Sequence, residues 1–315
     1  MGIFEGSTTI AKIQEGSNNI AEVYEGSNLV WSGTKDVRIA VGVGTDVEIY
    51  DDSLSSQGTY TAPANSINFL AVDSTPDIFV APGDTTSQMY KIDASGNEIT
   101  TRSLAGANKG LGVDSNGNVF YTAYFDIYKL NNAIDSELAS DGTRSEYGVL
   151  GITSSGDVFT VYDSGANIQK YDNSLNTVTN SVYIGGLKDV AVDSNDNIFT
   201  GDDGGLVRKW DTSLNQVASY DAGSTVHKID FDSNNNVFIG LNSGKVEKLN
   251  NALDTSLNSY TQIDFTISAL TVDLNGNVYV GTESSYNVWK LDNSLNEVNS
   301  ISTSNSIYSA EAFGV

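Results

Sequence analysis

A repeat of about forty residues runs through most of this chain and constrains its fold more than any other feature. Each copy has an apolar strand that ends in Asp or Thr, a polar turn and a second apolar strand. The strand ends follow one another at steps of 41, 39, 40, 39 and 41 residues: Asp73, Asp114, Thr153, Asp193, Asp232 and Asp273. Such a period indicates an array of similar β-units that pack against one another.

The second half of each copy adds a third strand and a more polar fourth strand. Four strands in about forty residues are typical of one blade of a β-propeller. A Lys recurs at a fixed point of the third strand, and we expect these side chains to form a ring of separate charges around the outside. They are Lys91, Lys129, Lys170, Lys209, Lys248 and Lys290.

The ends of the repeat region predict how the ring closes. Six full copies cover residues 67 to 300, and residues 37–41 and 47–54 match a second and a third strand that lack a first. Residues 307–313 lie one period after the first strand at residues 267–273. We therefore predict an all-β fold, a seven-bladed β-propeller over residues 34–315 that is closed by pairing of its N- and C-terminal strands.

Residues 1–33 carry a different repeat, in which Glu-Gly-Ser recurs every ten residues at 5–7, 15–17 and 25–27. Short strands joined by such turns predict a small β-meander. So few strands are marginally stable alone, and we expect this segment to act as an assembly module. The residues that we expect to contribute are Phe4, Ile13, Val23, Tyr24 and Trp31.

The charge of the chain limits its partners. Forty acidic against sixteen basic residues give a formal net charge of −24, which disfavours nucleic acid and anionic lipid as partners. Adaptation to high salt and an ordinary acidic extracellular surface both explain this charge. The absence of Cys and the single His, His227, leave little scope for thiolate sites or imidazole chemistry.

The first residues show neither a basic segment nor an apolar one of the kind found in export signals, and no apolar run is long enough for a membrane helix. From the residues given we expect no signal peptide and no membrane insertion. An acidic, cysteine-free β protein of this kind is expected either in the cytoplasm or in a particle that is assembled there.

Two resemblances follow from these motifs. The pattern Val-Asp-Ser-Asn-Gly-Asn-Val-Phe at 113–120 resembles NHL-type repeats and related propellers of the gluconolactonase and quinoprotein-like groups. It implies the architecture but no single activity, because such propellers include enzymes, scaffolds and ligand readers. The run Val-Tyr-Glu-Gly-Ser-Asn-Leu-Val-Trp at 23–31 resembles short β-repeats of tail and other virion proteins of phages and related viruses.

Asp-x-Asn-x-Asn turns follow four of the first strands, and oxygen ligands at alternate positions are also how calcium loops begin. No further carboxylate recurs downstream to complete a calcium shell, and the same residues favour Asx turns. Both interpretations stay open here, with no cofactor expected beyond a weak calcium alternative. The candidates are Asp114, Asp193, Asp232 and Asp273.

Ligand-binding residues are expected on the loops between second and third strands, because loops on a rigid scaffold commonly carry recognition. Carboxylates beside exposed aromatic rings would suit sugar hydroxyls, and an acidic solvated rim is the alternative. No catalytic residue is expected, and His227 is interpreted as a surface histidine where a strand begins. The loop candidates are Asp84, Tyr124, Asp126, Asp163, Asp202, Asp203, Glu283 and Tyr286.

These observations predict a non-enzymatic structural protein of a virion: a tail, fibre or capsid-surface component that is assembled in the host cytoplasm. Residues 1–33 would bind other virion proteins or further copies of the chain, and the propeller would project as a spacer or read a host-surface glycan or protein. One alternative is a propeller lactonase or lyase with a divalent cation at the central channel, which requires carboxylates that converge on the axis. Another is a cytoplasmic interaction scaffold.

Overall fold

The computed structural model describes two compact units, residues 1–36 and residues 37–315. The described residues are 14–15, 18–19, 22–25, 28–32, 36–63, 66–83, 88–123, 126–142, 147–162, 167–178 and 182–315. Their secondary structure is strands and turns, as the repeats predict. No helix among them is long and apolar enough to cross a membrane.

The first unit contains two short antiparallel pairs. Strand β1 (Gln14–Glu15) pairs with β2 (Asn18–Asn19), and β3 (Glu22–Glu25) pairs with β4 (Asn28–Ser32). In each pair the two strands flank a Gly-Ser dipeptide of the ten-residue repeat. Val23, Tyr24 and Trp31 lie on the β3–β4 hairpin, whereas Phe4 and Ile13 are outside the described residues.

The second unit consists of seven four-stranded antiparallel sheets. Six of them are continuous in sequence, and we number them as blades 1 to 6. Blade 1 is β8 (Ile67–Val72), β9 (Ile78–Pro82), β10 (Gln88–Ile92) and β11 (Glu98–Ser103). Blade 2 is β12 (Asn108–Val113), β13 (Val119–Ala123), β14 (Asp126–Leu130) and β15 (Glu137–Asp141). Blade 3 is β16 (Tyr147–Ile152), β17 (Val158–Tyr162), β18 (Asn167–Tyr171) and β19 (Val182–Tyr183).

The other continuous blades repeat this order. Blade 4 is β20 (Leu187–Val192), β21 (Ile198–Asp202), β22 (Leu206–Trp210) and β23 (Gln216–Asp221). Blade 5 is β24 (Val226–Phe231), β25 (Val237–Leu241), β26 (Val246–Leu249) and β27 (Ser256–Tyr260). Blade 6 is β28 (Ile267–Val272), β29 (Val278–Thr282), β30 (Asn287–Leu291) and β31 (Glu297–Ser302).

The seventh sheet, which we call the closing blade, is built from both ends of the unit. Its order is β32 (Ile307–Gly314), β5 (Val37–Val43), β6 (Asp46–Asp51) and β7 (Ser56–Thr61). Strand β32 is antiparallel to β5, with Ala310 opposite Val41 and Ala312 opposite Ile39. The innermost strands of neighbouring blades contact one another around the ring, from β8 through β28 to β32 and back to β8. The predicted seven-bladed β-propeller and its closure by the two terminal strands are confirmed.

The polar turns between first and second strands are fastened by their Asp side chains. In blade 2, Asp114 Oδ1 accepts hydrogen bonds from the backbone N–H of Asn116 at 2.9 Å and of Asn118 at 2.8 Å, while Oδ2 accepts one from the Asn118 amide. Asp193, Asp232 and Asp273 fasten their turns in the same way. These hydrogen bonds fix where each hairpin turns, and therefore which residues reach the axis.

The recurring lysines lie between the blades, so the expected ring of separate outer charges is wrong. Lys129 lies over the Phe120 ring, 5.1 Å from its centroid, and donates to the carbonyl and side-chain oxygens of Asn173 in the next blade. Its Nζ is 3.8 Å from the buried Asp114 carboxylate. Lys91, Lys209 and Lys248 contact an Asn of the next blade in the same way. The long aliphatic stem lets the charge cross an apolar interface to reach these acceptors.

Candidate functional site

The innermost strands enclose a cavity of about 320 Å³ on the propeller axis. All seven blades contribute to its wall through β8, β12, β16, β20, β24, β28 and β32. Polar side chains on this wall are concentrated on blades 4 to 6 and the closing blade. They are Asp189, Lys228, Asp230, Thr271, Ser309 and Glu311, and the remaining polar side chain on the wall is Asn68 of blade 1.

The repeat register shows why the cavity has two unlike sides. Equivalent residues can be identified in every innermost strand from their strand partners. In blade 2 Gly112 is opposite Phe120, and in blade 5 the equivalent Asp230 is opposite Phe238. In ring order from blade 1, the residues at this position are Ala71, Gly112, Gly151, Ala191, Asp230, Thr271 and Glu311. The first four carry no polar side chain, and the last three carry a carboxyl or a hydroxyl group.

The apolar side is filled by side chains from the next blade. A Cβ on Gly112 would lie 2.9 Å from Ile152 Cδ1, and a Cβ on Gly151 would lie 2.9 Å from Val192 Cγ2. Both separations are shorter than a normal van der Waals contact, so a larger residue at either position would displace these apolar side chains. Leu70, Leu111 and Leu150 complete this side of the cavity, which we call the apolar wall.

Three of these polar groups are tied to the neighbouring blade. Asp230 Oδ2 accepts a hydrogen bond from the Val272 backbone N–H at 2.7 Å, and Thr271 Oγ1 accepts one from Ala312 N–H at 3.1 Å. In the preceding blade, blade 4, Asp189 Oδ2 accepts a hydrogen bond from the Ile229 backbone N–H of blade 5 at 2.8 Å. These side chains fasten adjacent inner strands in addition to facing the cavity.

Glu311 occupies the position equivalent to Asp230 and Thr271 but makes no such bond. Its carboxyl group has no hydrogen-bond or ion-pair partner among the described residues. It belongs to β32, the strand that closes the ring, and it faces the cavity together with the other charged groups. An acidic side chain placed inside a protein without such a partner is energetically costly.

Burial and charge repulsion change the acidity of all three carboxyl groups. Desolvation by burial raises the pKa of Glu311 to about 8, and the charges of Asp230 and Asp189 raise it further while Lys228 opposes them. Burial also raises the pKa of Asp230 to about 6, against hydrogen bonds that lower it. The pKa of Asp189 is raised by burial, and the Lys228 charge opposes this change. Three carboxyl groups and one lysine therefore share one space, in which Asp189 is buried and the other three groups are partly buried.

The described residues contain no group of three or more His, Cys, Asp and Glu side chains arranged to hold one metal ion. The carboxyl groups that face the cavity come from different inner strands, and two of them already accept backbone hydrogen bonds. The turn aspartates likewise accept several N–H groups each. The calcium alternative for Asp114, Asp193, Asp232 and Asp273 stays a prediction.

The described members of the predicted loop set lie at or near the second-to-third-strand connections, at the opposite ends of the strands from the turn aspartates. Asp203, Glu283 and Tyr286 are exposed, and the Tyr286 ring keeps 44% of its surface accessible. Tyr286 adopts a φ of 56°, and its carbonyl oxygen accepts the Thr303 N–H at 2.6 Å. Asp84, Tyr124 and Asp163 lie outside the described residues.

Two of the loop candidates have internal partners. Asp202 is 3% exposed, its Oδ1 accepts the Leu206 backbone N–H at 2.9 Å, and its Oδ2 pairs with Arg208. Asp202 therefore shapes its own loop, and its expected role as a ligand-binding residue stays a prediction. The carboxylate of Asp126 is partly buried and accepts the Tyr128 hydroxyl at 2.7 Å.

His227 lies near the start of β24, where the register with β25 shifts between Val226 and Lys228. It is partly buried instead of being an open surface residue, and burial lowers its pKa. Neighbouring Lys188 and Lys228 lower it further, while the Asn242 side chain and Glu283 oppose this change. A neutral ring at physiological pH follows.

Sequence reasoning missed the charged residues of the cavity, although the repeat contained a signal for them. The position two residues before the turn Asp is Ala71, Gly112 and Ala191 in three copies but Asp230 in a fourth. A charge that replaces a small residue at one repeat position indicates a local specialisation. Glu311 is harder to find, because its copy has no turn Asp and its partner strand lies at the other end of the unit.

Comparison with known proteins supports the architecture and nothing finer. No protein-family model matches the chain, and no curated protein matches it. Among solved structures, apo AztD from Citrobacter koseri superposes with a TM-score of 0.68 at 10% identity, over 89% of this chain and 99% of that one. The computationally designed Ika8 protein superposes with a TM-score of 0.64 at 16% identity, over 88% of both chains. At these identities the likeness shows a shared fold, and the class that fold and repeats define is a seven-bladed β-propeller.

Proposed function

We propose that this protein is a non-enzymatic structural component of a virion, in which residues 1–33 mediate assembly and the propeller projects as a spacer or receptor reader. The observation that carries the proposal is the division of the chain into two unlike compact units. One is a closed ring, and the described residues of the other form two-stranded pairs within a ten-residue repeat. Two-stranded sheets are marginal in water, which argues that they gain stability by association.

The construction of the ring suits a passive projecting body. Its blades are fastened by buried lysines that reach the next blade, and its last strand closes the circle. The resemblance of residues 23–31 to short repeats of virion proteins supports the same role. The NHL-like pattern of the long repeat adds no function to this proposal, because such propellers serve many roles.

Receptor reading would use the face that carries the second-to-third-strand loops. Asp203, Glu283 and Tyr286 are exposed there, and carboxylates with an accessible aromatic ring suit recognition of a sugar or a protein surface. The strong negative charge favours glycan or basic protein partners over nucleic acid. High-salt adaptation is a second source of the same charge.

Deletion of residues 1–33 tests the assembly role. Full-length and shortened chains would be expressed in virus-producing cells, and purified particles would be probed for each chain by immunoblotting. We expect the shortened chain to keep the circular dichroism and melting temperature of the propeller but to be absent from particles. Incorporation of both chains at equal levels would remove the assembly role, and absence of the full chain from particles would remove the virion proposal.

A propeller lactonase or lyase that uses a divalent cation is the second candidate. The carboxyl groups of Asp189, Asp230 and Glu311 on the cavity wall favour it. The lack of a metal-holding group of three such side chains among the described residues disfavours it. Calorimetric titration of the chelator-treated full chain with Ca²⁺, Mg²⁺ and Zn²⁺ separates the candidates, since the enzyme requires tight binding of one ion that Glu311→Gln weakens.

A further inference from the structure

The central cavity combines a charged side and an apolar side, an arrangement that the fold itself does not need. The six continuous blades close the ring with small residues or with polar groups that bond the next blade. Glu311 does neither, although a small residue serves the equivalent position in four of the seven blades. Its carboxyl group is therefore available to a molecule that enters the cavity.

The charges around Glu311 indicate what it would receive. The charged groups that face it from the surrounding inner strands are Asp189 on β20 and Lys228 and Asp230 on β24. Lys228 acts on both Asp189 and Glu311, yet one ammonium group balances only one of the three carboxylates when all are ionised. Asp230 and Glu311 repel each other, so a second positive charge placed between them would be stabilised.

The kind of cation follows from the geometry. No group of three acidic, His or Cys side chains among the described residues is arranged to hold one metal ion, which argues against a compact divalent cation. An ammonium group has three separate N–H donors and can reach carboxylates that stand on different strands. On the other side of the cavity, the apolar wall of Leu70, Leu111, Leu150 and Ile152 would remove an alkyl chain from water.

We propose that the central cavity binds a small organic amine, whose ammonium group lies between Asp230 and Glu311 and whose hydrocarbon part lies on the apolar wall. The cavity of about 320 Å³ is at the lower end of the range for small-molecule sites, so the ligand is a short amine. This site is separate from the loop face that the proposed receptor role would use. Its existence does not depend on that role.

The test uses the full chain and n-hexylammonium as the probe, with n-hexanol as the neutral molecule of matched length. Isothermal titration at pH 7 would be run in two buffers of different ionisation enthalpy, so that proton release is measured together with affinity. We expect hexylammonium to bind at least tenfold more tightly than hexanol. We also expect release of most of one proton, because a cation beside Glu311 favours its ionised form.

Two variants assign the effect to the cavity. Glu311→Gln removes the titrating group and should abolish most of the proton release and weaken hexylammonium at least tenfold. Asp264→Asn makes the same change of charge on an exposed loop residue and should leave both quantities unchanged. If Glu311→Gln does not fold, the comparison of hexylammonium with hexanol on the unmodified chain decides the question.

Three results would overturn the proposal. The first is hexanol binding as tightly as hexylammonium, or neither molecule binding below about 10 mM, where the free energy of binding is under about 3 kcal/mol. The second is hexylammonium binding that Glu311→Gln leaves unchanged. The third is displacement of hexylammonium by micromolar Ca²⁺ or Mg²⁺, which would assign the cavity to a metal ion.

Discussion

The six continuous blades and the closing blade share a strand order but differ in how they contact the next blade. In each continuous blade, an aromatic ring on the second strand lies beneath a lysine from the third strand, as Phe120 lies beneath Lys129. In the closing blade the equivalent residues are Ala40 and Ile49, which pack in an apolar cluster with Ile67 and Leu70 of blade 1. The six continuous blades are joined to the next blade by lysine clamps over aromatic rings. The closing blade meets blade 1 through this apolar cluster and through hydrogen bonds such as those from Arg38 to the Ala94 carbonyl and from Tyr60 to Glu98.

The continuous blades and the closing blade also differ at the residue that follows the innermost strand and at the residue that faces the cavity. A turn Asp follows the first strand in five of the six continuous blades, and Thr153 takes its place in blade 3. Strand β32 is not connected to β5 by a turn, so this position becomes Phe313, which is buried in the apolar cluster. Strand β32 also places Glu311 on the cavity wall, at a position where four of the other blades have Ala or Gly. The junction of the two ends is thus the place where the sequence departs most from the repeat.

Removal of residues 307–315 is expected to have the largest effect. It leaves β5 without its inner partner strand and removes the buried Ile307 and Phe313, each of which stabilises the fold by about 2–5 kcal/mol. Because domains are typically stable by only about 5–15 kcal/mol, we expect no cooperative thermal unfolding in differential scanning calorimetry. Deletion of residues 1–33 is the control and should leave the transition in place. A cooperative transition in the chain that lacks 307–315 would show that closure is dispensable.

Replacement of a clamp lysine is expected to have the next largest effect. Lys129→Met keeps the volume of the stem but leaves the buried Asp114 and the Asn173 oxygens without their cation. We expect a loss of about 2–4 kcal/mol in the free energy of unfolding, measured by urea denaturation. The exposed Lys109→Met is the control, with an effect below about 0.5 kcal/mol. Equal effects of the two replacements would mean that the clamps contribute no stability.

The pH dependence of the free energy of unfolding should report the ionisation of Glu311, the cavity residue of the closing blade. The pKa of Glu311 rises on folding from 4.5 to about 8, so the folded state keeps a proton that the unfolded state has lost, and this contribution disappears as the pH rises through 8. We expect the free energy of unfolding to fall by about 1 kcal/mol between pH 7 and pH 9. Asp230, with a pKa of about 6, and His227, whose pKa burial lowers from its ordinary value, titrate below this window.

Glu311→Gln should flatten this pH dependence, whereas the exposed Glu283→Gln should leave it unchanged. Urea denaturation at pH 7, 8 and 9 measures both variants against the unmodified chain. An unchanged slope in Glu311→Gln would show that another group titrates in this range.

The sequence predicted the ring because its information is periodic. The turn residues recur about every forty positions, and residues 307–313 match the first strand that residues 37–41 lack. The burial of Lys129 could not be predicted in this way, since a charge pattern does not reveal that the stem crosses Phe120 to acceptors in another blade. The role of Glu311 depends on the three-dimensional ring, which brings strands from distant parts of the sequence together.

The six continuous blades also differ from the closing blade in one exposed apolar residue at the outer side of each sheet, and this difference is expected to have the smallest effect on stability. In five of the six continuous blades the residue at the register shift between the third and fourth strands keeps about half of its surface exposed. In blade 3 the exposed residue is Val178, which precedes β19, and in the closing blade the residue at the shift is Gln57. The six apolar residues are Ile99, Leu138, Val178, Val217, Leu257 and Val298. These residues recur because the blades repeat, and each keeps about half of its surface exposed, unlike the buried side chains of the inner strands.

Replacing Val298 by Gln, the closing blade's residue, should therefore change the free energy of unfolding by less than about 0.5 kcal/mol, as expected for a side chain that is 57% exposed. Urea denaturation compares Val298→Gln with Gln57→Val, which makes the reverse change on the closing blade. If Val298→Gln instead costs more than about 1 kcal/mol, the bulge residues help to hold the outer strands, and the closing blade differs from the others at its rim as well as at its axis.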